Sequence, residues 1–231
     1  MLKLVAGSLK ELTLHRHNKY LVEIIENARL ARARESHAHV VLITGPTGAG
    51  KDTLINALPG DKFVRWRTWT TRREIRADEK DSDPYVRVSH KEFEAEELKG
   101  NFIETNPYAE NRYGTHRREA EAAFADGRIP VLRVDPRGAL TFNKLFEAKV
   151  DPFHKASLHH FYIVPPSKNE LFLRLQKREK DREAADKRYQ IALADLVFAA
   201  NAHYLLLNQT NKVKQVSEAL TSHLRSFGLA V

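Results

Sequence analysis

The residues with the plainest chemistry are Gly45-Pro46-Thr47-Gly48-Ala49-Gly50-Lys51. They fit G-x-x-x-x-G-K, a turn that wraps a phosphate. Its glycines let backbone N–H groups approach an anion, and its lysine adds a point charge toward the β- and γ-phosphates of a nucleoside triphosphate. Such a turn needs a strand before it and a helix after it. His39–Thr44 (HVVLIT) is a short apolar, β-branched run that reads as a buried parallel strand, and a helix is expected from Lys51 to about Leu58. After Lys51 come Asp52 and Thr53. A Ser or Thr hydroxyl is the usual magnesium ligand at the first of these positions. A carboxylate is also an excellent ligand, but it carries negative charge close to the phosphates.

The elements that must position this turn can be read along the chain. Phe63–Thr70 is expected to be extended, followed by a charged, turn-rich stretch from Arg72 to Asp83. Ser89 with Glu92, and Ser167 with Glu170, are capping boxes that each open a helix. Ile129–Asp135 and His160–Val164 read as buried strands with a helix from about Ala139 to Lys149 between them. A charged helical region runs from Lys168 to about Ala200 with a break near Lys180, then a last strand (His203–Leu207) and a last helix (Lys212–Ser226). Strands alternating with helices predict an α/β fold with a parallel sheet wound by right-handed crossovers. Residues 39–231 read as one domain, preceded by an extension, residues 1–38, with a helix from about Asn18 to Arg34. Glu11, Glu23, Glu26 and Glu35 argue against a transit peptide, so this helix is expected to dock or dimerise.

Composition removes several function classes. No apolar run approaches the roughly 20 residues that span a bilayer. The chain has no cysteine, which excludes disulfides and thiolate metal sites and suits a reducing compartment. The net charge of +8 suits a polyanionic partner. Arginines gather between Arg65 and Arg76 and between Arg174 and Arg188, without the aromatic signature of an RNA-binding module, so nucleotide phosphates fit better than nucleic acid or a membrane.

A phosphate turn names the donor class, and the acceptor must be read elsewhere. Thr70-Thr71-Arg72 with Arg76, Glu79 and Tyr85, then Phe102-Ile103-Glu104 before Tyr113-Gly114-Thr115, Val134-Asp135 before Gly138, Pro165-Pro166-Ser167 and the Arg174–Arg178 run keep a common order and spacing. Over about residues 39–226 the chain resembles the guanylate kinases, P-loop nucleoside monophosphate kinases. The resemblance implies the P-loop kinase fold, a parallel sheet flanked by helices, with a GMP-binding insert (about 68–125) and a lid (about 178–187). It also implies magnesium, transfer of a phosphate from ATP to GMP and dGMP, and a cytoplasmic location. Oligomerisation is left to the N-terminal helix.

By the same resemblance Glu104 reads the guanine edge, helped by Thr68 and Thr115. Arg72, Arg76, Tyr85 and Tyr113 hold the GMP phosphate, and Asp135 lies near GMP and the metal. Glu79 lines the same pocket or is a plain surface acid. Gly45 through Thr53 and Asn208 are the ATP contacts, and Lys51, Arg72, Arg174, Arg178 and Arg188 are the catalytic cations. Arg73 and Arg87 are read as solvated charges. Two positions depart from the family: Asp52 stands where a hydroxyl is usual, and Arg133 where an aspartate is usual. Either Asp52 does magnesium-shell work with Arg133 balancing its charge, or it points away and Thr53 or water serves the metal. The competing readings are a ribose bisphosphate kinase of phosphonate metabolism, a viral-type deoxynucleotide kinase, and a non-catalytic guanylate-kinase-like peptide-binding module.

Overall fold

The computed structural model describes residues 3–4, 38–75, 83–108, 110–149, 153, 156–179 and 181–231. The expected helix from Asn18 to Arg34 lies outside them, as do Arg76 and Glu79. Strands β1 (Lys3–Leu4), β2 (Ala38–Thr44), β3 (Phe63–Trp66), β8 (Ile129–Arg133), β9 (Ala156–Val164) and β10 (Tyr204–Leu207) form a parallel sheet in the order β1-β10-β9-β2-β8-β3. The two-residue β1, which the sequence reading does not assign, pairs with β10 at the sheet edge. Among the described residues the α-helices are α1 (Lys51–Asn56), α2 (His90–Leu98), α3 (Arg117–Ala125), α4 (Gly138–Glu147), α5 (Lys168–Arg178), α6 (Arg182–Asp195) and α7 (Val213–Ser226), of which α3 is not expected from the sequence. Both serines cap their helices, Ser89 accepting from the Glu92 N–H and Ser167 from the Glu170 N–H. Among the described residues, no helix is long and apolar enough to cross a membrane.

The central strand shows why the run His39–Thr44 lacks alternation. Val41 and Ile43 pack into one core with Leu54 of α1 and with Val216, Leu220 and Leu224 of α7. Val40 and Leu42 pack into a second core with Phe142 and Phe146 of α4, and with Ala120 and Ala123 of α3. Successive strand residues face opposite sides, so a strand covered on both faces must be apolar throughout.

The stretch Phe63–Thr70 is extended as expected, but it divides. Its second half, β4 (Thr68–Thr70), leaves the central sheet and joins β5 (Tyr85–Arg87), β6 (Phe102–Tyr108) and β7 (Asn111–His116) in a second sheet, in the order β5-β4-β7-β6. The β6–β7 hairpin overhangs the carboxyl edge of the central sheet, where α/β proteins bind ligands.

Strand β9 also carries two buried histidines. His159 contacts His39 at 3.0 Å. His160 Nε2 lies 2.8 Å from the Thr44 hydroxyl, immediately before the phosphate turn, and its Nδ1 lies 3.1 Å from Asn143 Oδ1. Burial pushes the His160 imidazole down to about 3 and the His159 imidazole well below its ordinary value of 6.5. Below about pH 6.5 the unfolded chain therefore binds protons that the folded chain refuses, and stability falls by roughly 1.4 kcal/mol per pH unit for each such histidine. Urea midpoints should drop steadily as the pH falls from 7 toward 5. A flat profile would contradict neutral burial.

Candidate active site

Thr44 ends β2 and the chain turns back over its own edge. Gly45 has φ 138°, and a Cβ there would lie 2.5 Å from the Ile163 carbonyl oxygen. Gly50 has φ 87°, and a Cβ there would strike the Asn208 amide. Only glycine fits either position. The Asn208 side chain donates to the Ala49 carbonyl at 2.7 Å, so the segment after β10 braces the turn as well as lining the cavity. Lys51 curls over the turn, its ammonium donating at 2.8 Å to the carbonyls of Gly45 and Pro46. Burial, then Arg133 and Arg178, lowers this ammonium to about 7 against a partial opposing pull from Asp52.

A cavity of about 480 Å³ opens over the turn. It brings together residues far apart in the chain: Lys51, Thr68, Tyr85, Glu104, Tyr113, Asp135, Arg174, Arg178, Arg188 and Asn208. At one end is Glu104. The β6–β7 pairing shifts register between Phe102 and Glu104, a bulge that re-aims the carboxylate. Thr115 donates to Glu104 Oε1 at 2.8 Å and Asn106 to Oε2 at 3.3 Å. A Cβ on Gly138 would come within 3.1 Å of both Glu104 Oε2 and Asn106 Nδ2, so the helix start is bare where the carboxylate sits. Loss of solvent raises the Glu104 carboxyl to about 7, and Asp135 adds to the rise against the opposing hydrogen bond from Thr115. Asp135 accepts from the N–H groups of Arg137 (2.7 Å) and Gly138 (2.9 Å) and so fixes the entry into α4.

Three arginines from α5 and α6 line the cavity. Arg174 reaches the Asn208 carbonyl at 3.0 Å and the Thr210 hydroxyl at 2.9 Å. Arg178 approaches the Thr47 hydroxyl at 3.4 Å, and Arg188 pairs with Glu179 at 2.9 Å. Glu179 follows α5, and Asp181 caps α6 by accepting from the Ala184 N–H at 2.8 Å. The expected lid thus consists of a short connection and the first turns of α6. Asp52 is held by two arginines, Arg65 on one carboxylate oxygen and Arg133 on the other. Burial opposes ionisation there, yet Arg133, Arg65 and Lys51 together hold its carboxyl down to about 2.

Some expected residues stand back from the cavity wall. Thr115 is fully buried and acts through Glu104. Pro46 and Ala49 belong to the turn without lining the cavity. Arg72 is buried behind Tyr85, its guanidinium carbon 5.1 Å from the ring centroid. Arg87, read from sequence as a solvated charge, is instead tied into the scaffold. It binds Asp83, just before β5, and the carbonyls of Arg72 and Glu74, just after β4, which pairs with β5. Arg73 is exposed, as read.

The comparisons with known proteins bear on this cavity. A family model described as guanylate kinase matches residues 37–226. The chain belongs to the guanylate kinase family. It is 30% identical over 192 residues to the guanylate kinase of Latilactobacillus sakei subsp. sakei (strain 23K), an alignment covering 80% of this chain and 90% of that one. It is 31% identical over 199 residues to that of Chlorobium luteolum (strain DSM 273 / BCRC 81028 / 2530), covering 84% and 97%. The crystal structure of guanylate kinase from Anaplasma phagocytophilum superposes with a TM-score of 0.60 at 21% identity, covering 83% of this chain and 86% of that one, and shares the fold.

Asn106 and Asp195 are among the residues of this guanylate kinase cavity that sequence reasoning missed. Asn106 lies two positions after Glu104 on one strand, and alternation alone puts both on the same face. Asp195 lies seven positions after Arg188 on α6, again one face of one helix, and it borders the cavity. Burial and then Asp135 raise its carboxyl, against the pull of Lys51.

Proposed function

We propose that this chain transfers the γ-phosphoryl group of ATP to GMP, and also to dGMP, giving ADP and GDP (or dGDP). The observation that carries this reading is the half-buried Glu104 carboxylate with its Thr115 and Asn106 partners, in one cavity with the phosphate turn. Guanine offers N1–H and its exocyclic amino group side by side, and a carboxylate accepts both. Adenine lacks the N1 proton, so AMP leaves that charge unmatched, at a cost that corresponds to roughly 10³-fold or more in discrimination.

In the proposed reaction a phosphate oxygen of GMP attacks the γ-phosphorus in line, and the bond to the β–γ bridging oxygen breaks. Little covalent work falls to the protein, so rate comes from alignment and positive charge. We assign Lys51 and the turn amides to the ATP phosphates, and Arg174, Arg178 and Arg188 to the charge that develops on the migrating group. Tyr85, Tyr113, Arg72 and Arg76 are assigned to the GMP phosphate, Thr68, Glu104 and Thr115 to the base, and Glu79 to the pocket rim. Asp135 is assigned to the α4 entry beside GMP and Asn208 to the ATP side.

Magnesium would enter with ATP. Among the described residues no group of three His, Cys, Asp or Glu side chains could hold a metal by itself, which suits an ion bound mainly through substrate phosphates. For the remainder, Thr53 in the first turn of α1 would supply a hard oxygen donor, whereas both oxygens of Asp52 are already engaged by Arg65 and Arg133 and would not hold the ion directly. When bound, the ion would neutralise charge on the β- and γ-phosphates. We further propose a kinase unit over residues 39–231 and a cytoplasmic location, where both nucleotides are available.

A coupled assay with ATP and a panel of GMP, dGMP, AMP, UMP and ribose bisphosphate tests the assignment. Equal use of AMP and GMP, or turnover of the sugar phosphate alone, would sink it, and no turnover with any acceptor would favour a binding module. For Arg178→Ala, kcat should fall on the order of 10²-fold while KM for GMP changes only a few-fold, since the charge acts mainly in the transition state. An unchanged kcat would remove Arg178 from the catalytic set.

A further inference from the structure

Arg133 closes β8 opposite Ile43 of β2, so its side chain leaves the central sheet beside the phosphate turn. Its Nη1 lies 2.8 Å from Asp52 Oδ2, and its guanidinium carbon sits 5.1 Å from the centroid of the Tyr85 ring. It therefore spans the cavity from the first turn of α1, on the side of Lys51, to the wall that carries Tyr85. Both Arg133 and Asp52 line the cavity, with side chains 20% and 30% exposed. The second oxygen of Asp52 is engaged by Arg65 from β3.

One carboxylate thus faces two guanidiniums and, close by, the Lys51 ammonium. Arg65 and Arg133 against Asp52 leave one formal positive charge over, with Lys51 beside them, before any ligand arrives. A pair serving the fold alone needs no surplus, and like charges held together are costly unless an anion joins them. A guanidinium carries five N–H groups in a rigid fork matched to phosphate oxygens, and Asp52 takes one of them.

We propose that Arg133 is a further catalytic arginine, contacting the phosphoryl group as it passes between the two nucleotides, and that Asp52, itself steadied by Arg65, is the residue that positions it. This rests on the phosphotransfer reading above. It adds a cation in a fixed place between donor and acceptor, the preorganised charge that stabilises a transition state.

The test uses Arg133→Met, Arg133→Lys, Asp52→Asn and the Asp52→Asn/Arg133→Met double variant, all at saturating magnesium. It measures kcat, KM for each nucleotide, thermal midpoints, and affinity for ADP, GMP and aluminium fluoride together as a mimic of the phosphoryl in transit. Arg133→Met should lower kcat on the order of 10²-fold or more with KM for GMP within a few-fold, and weaken the mimic by a similar factor. Arg133→Lys should recover part of both losses. Asp52→Asn should cost about tenfold in kcat in the native background and little once Arg133 is gone, as coupled sites do. An Arg133→Met protein with lowered thermal midpoint but kcat and mimic affinity within about threefold would assign the arginine to the fold and overturn the proposal. Strictly additive losses would overturn the positioning role of Asp52. The acceptor panel on the unmutated chain distinguishes these outcomes from failure of the GMP assignment, and the variants are then assayed with whichever acceptor turns over.

Discussion

Replacing Glu104 by glutamine should lower kcat/KM for GMP by roughly 10³-fold while the affinity for an ATP analogue stays within about twofold. Glutamine keeps the size and one acceptor, so the Thr115 hydroxyl still has a partner, but it turns a donor toward a base edge that already presents donors. The same carboxyl predicts a pH dependence. Its folded value of about 7 means that much of it is protonated in the vacant pocket at pH 7 and below, while guanine's two donors demand the ionised form. GMP affinity should therefore weaken by about tenfold per pH unit below 7. Binding at pH 6 should release close to one proton more in the unmutated protein than in Glu104→Gln. The difference between the two proteins removes the titration of the GMP phosphate itself. Calorimetry in buffers of different ionisation enthalpy reads that proton directly. Identical proton release from both proteins would remove Glu104 from the base contact.

For Lys51→Met, turnover should fall on the order of 10³-fold or more, since the variant removes the cation nearest the donor phosphates from a site where positioned charge supplies most of the rate. The fold should survive and its thermal midpoint hold or rise. A lysine whose ammonium is lowered from 10.5 to about 7 is a cation that the folded state disfavours. Between pH 7 and 10.5 the unfolded chain binds a proton that the folded chain does not. Stability of the unmutated protein should therefore increase with pH through that window, and the methionine variant should lose this contribution. A variant that loses activity together with several degrees of thermal midpoint would show that Lys51 serves the turn's own structure, through Gly45 and Pro46, more than the ligand.

What could be read from the residues followed how local each feature is. The phosphate turn is one contiguous stretch whose glycines, preceding strand and following helix all depend on near neighbours, and it appears where expected. Helices α2 and α5 announce themselves by capping boxes a few residues long. The β6–β7 hairpin was harder, since Thr105-Asn106-Pro107 shows no apolar alternation. Its strand β6 is tolerated because it lies at the edge of the second sheet, where a proline need not donate. Helix α3, rich in charge and alanine, carries only a modest apolar stripe. Arg87 looked like any surface arginine because its acceptors come from backbone brought there by the fold.

The amino-acid sequence by itself determined the class of protein, the phosphate turn and the order of the central strands β2, β3, β8, β9 and β10, because periodicity, capping and glycine-dependent turns act over a few residues of chain. It also carried, through resemblance, the choice of Glu104 as the candidate for reading the base. Only the tertiary structure decided what each charge does. The raised carboxyl of Glu104 comes from burial and from Asp135, against the opposing hydrogen bond from Thr115, and Glu104, Asp135 and Thr115 lie on separate parts of the chain. The pairing of Asp52 with Arg133 joins residues 81 positions apart. Sequence could count one acid gained and one lost, but the distance between them is set by the register of β2 on β8. Electrostatic interaction depends on separation and on the water excluded from between the groups, and both are properties of packing across the whole sheet.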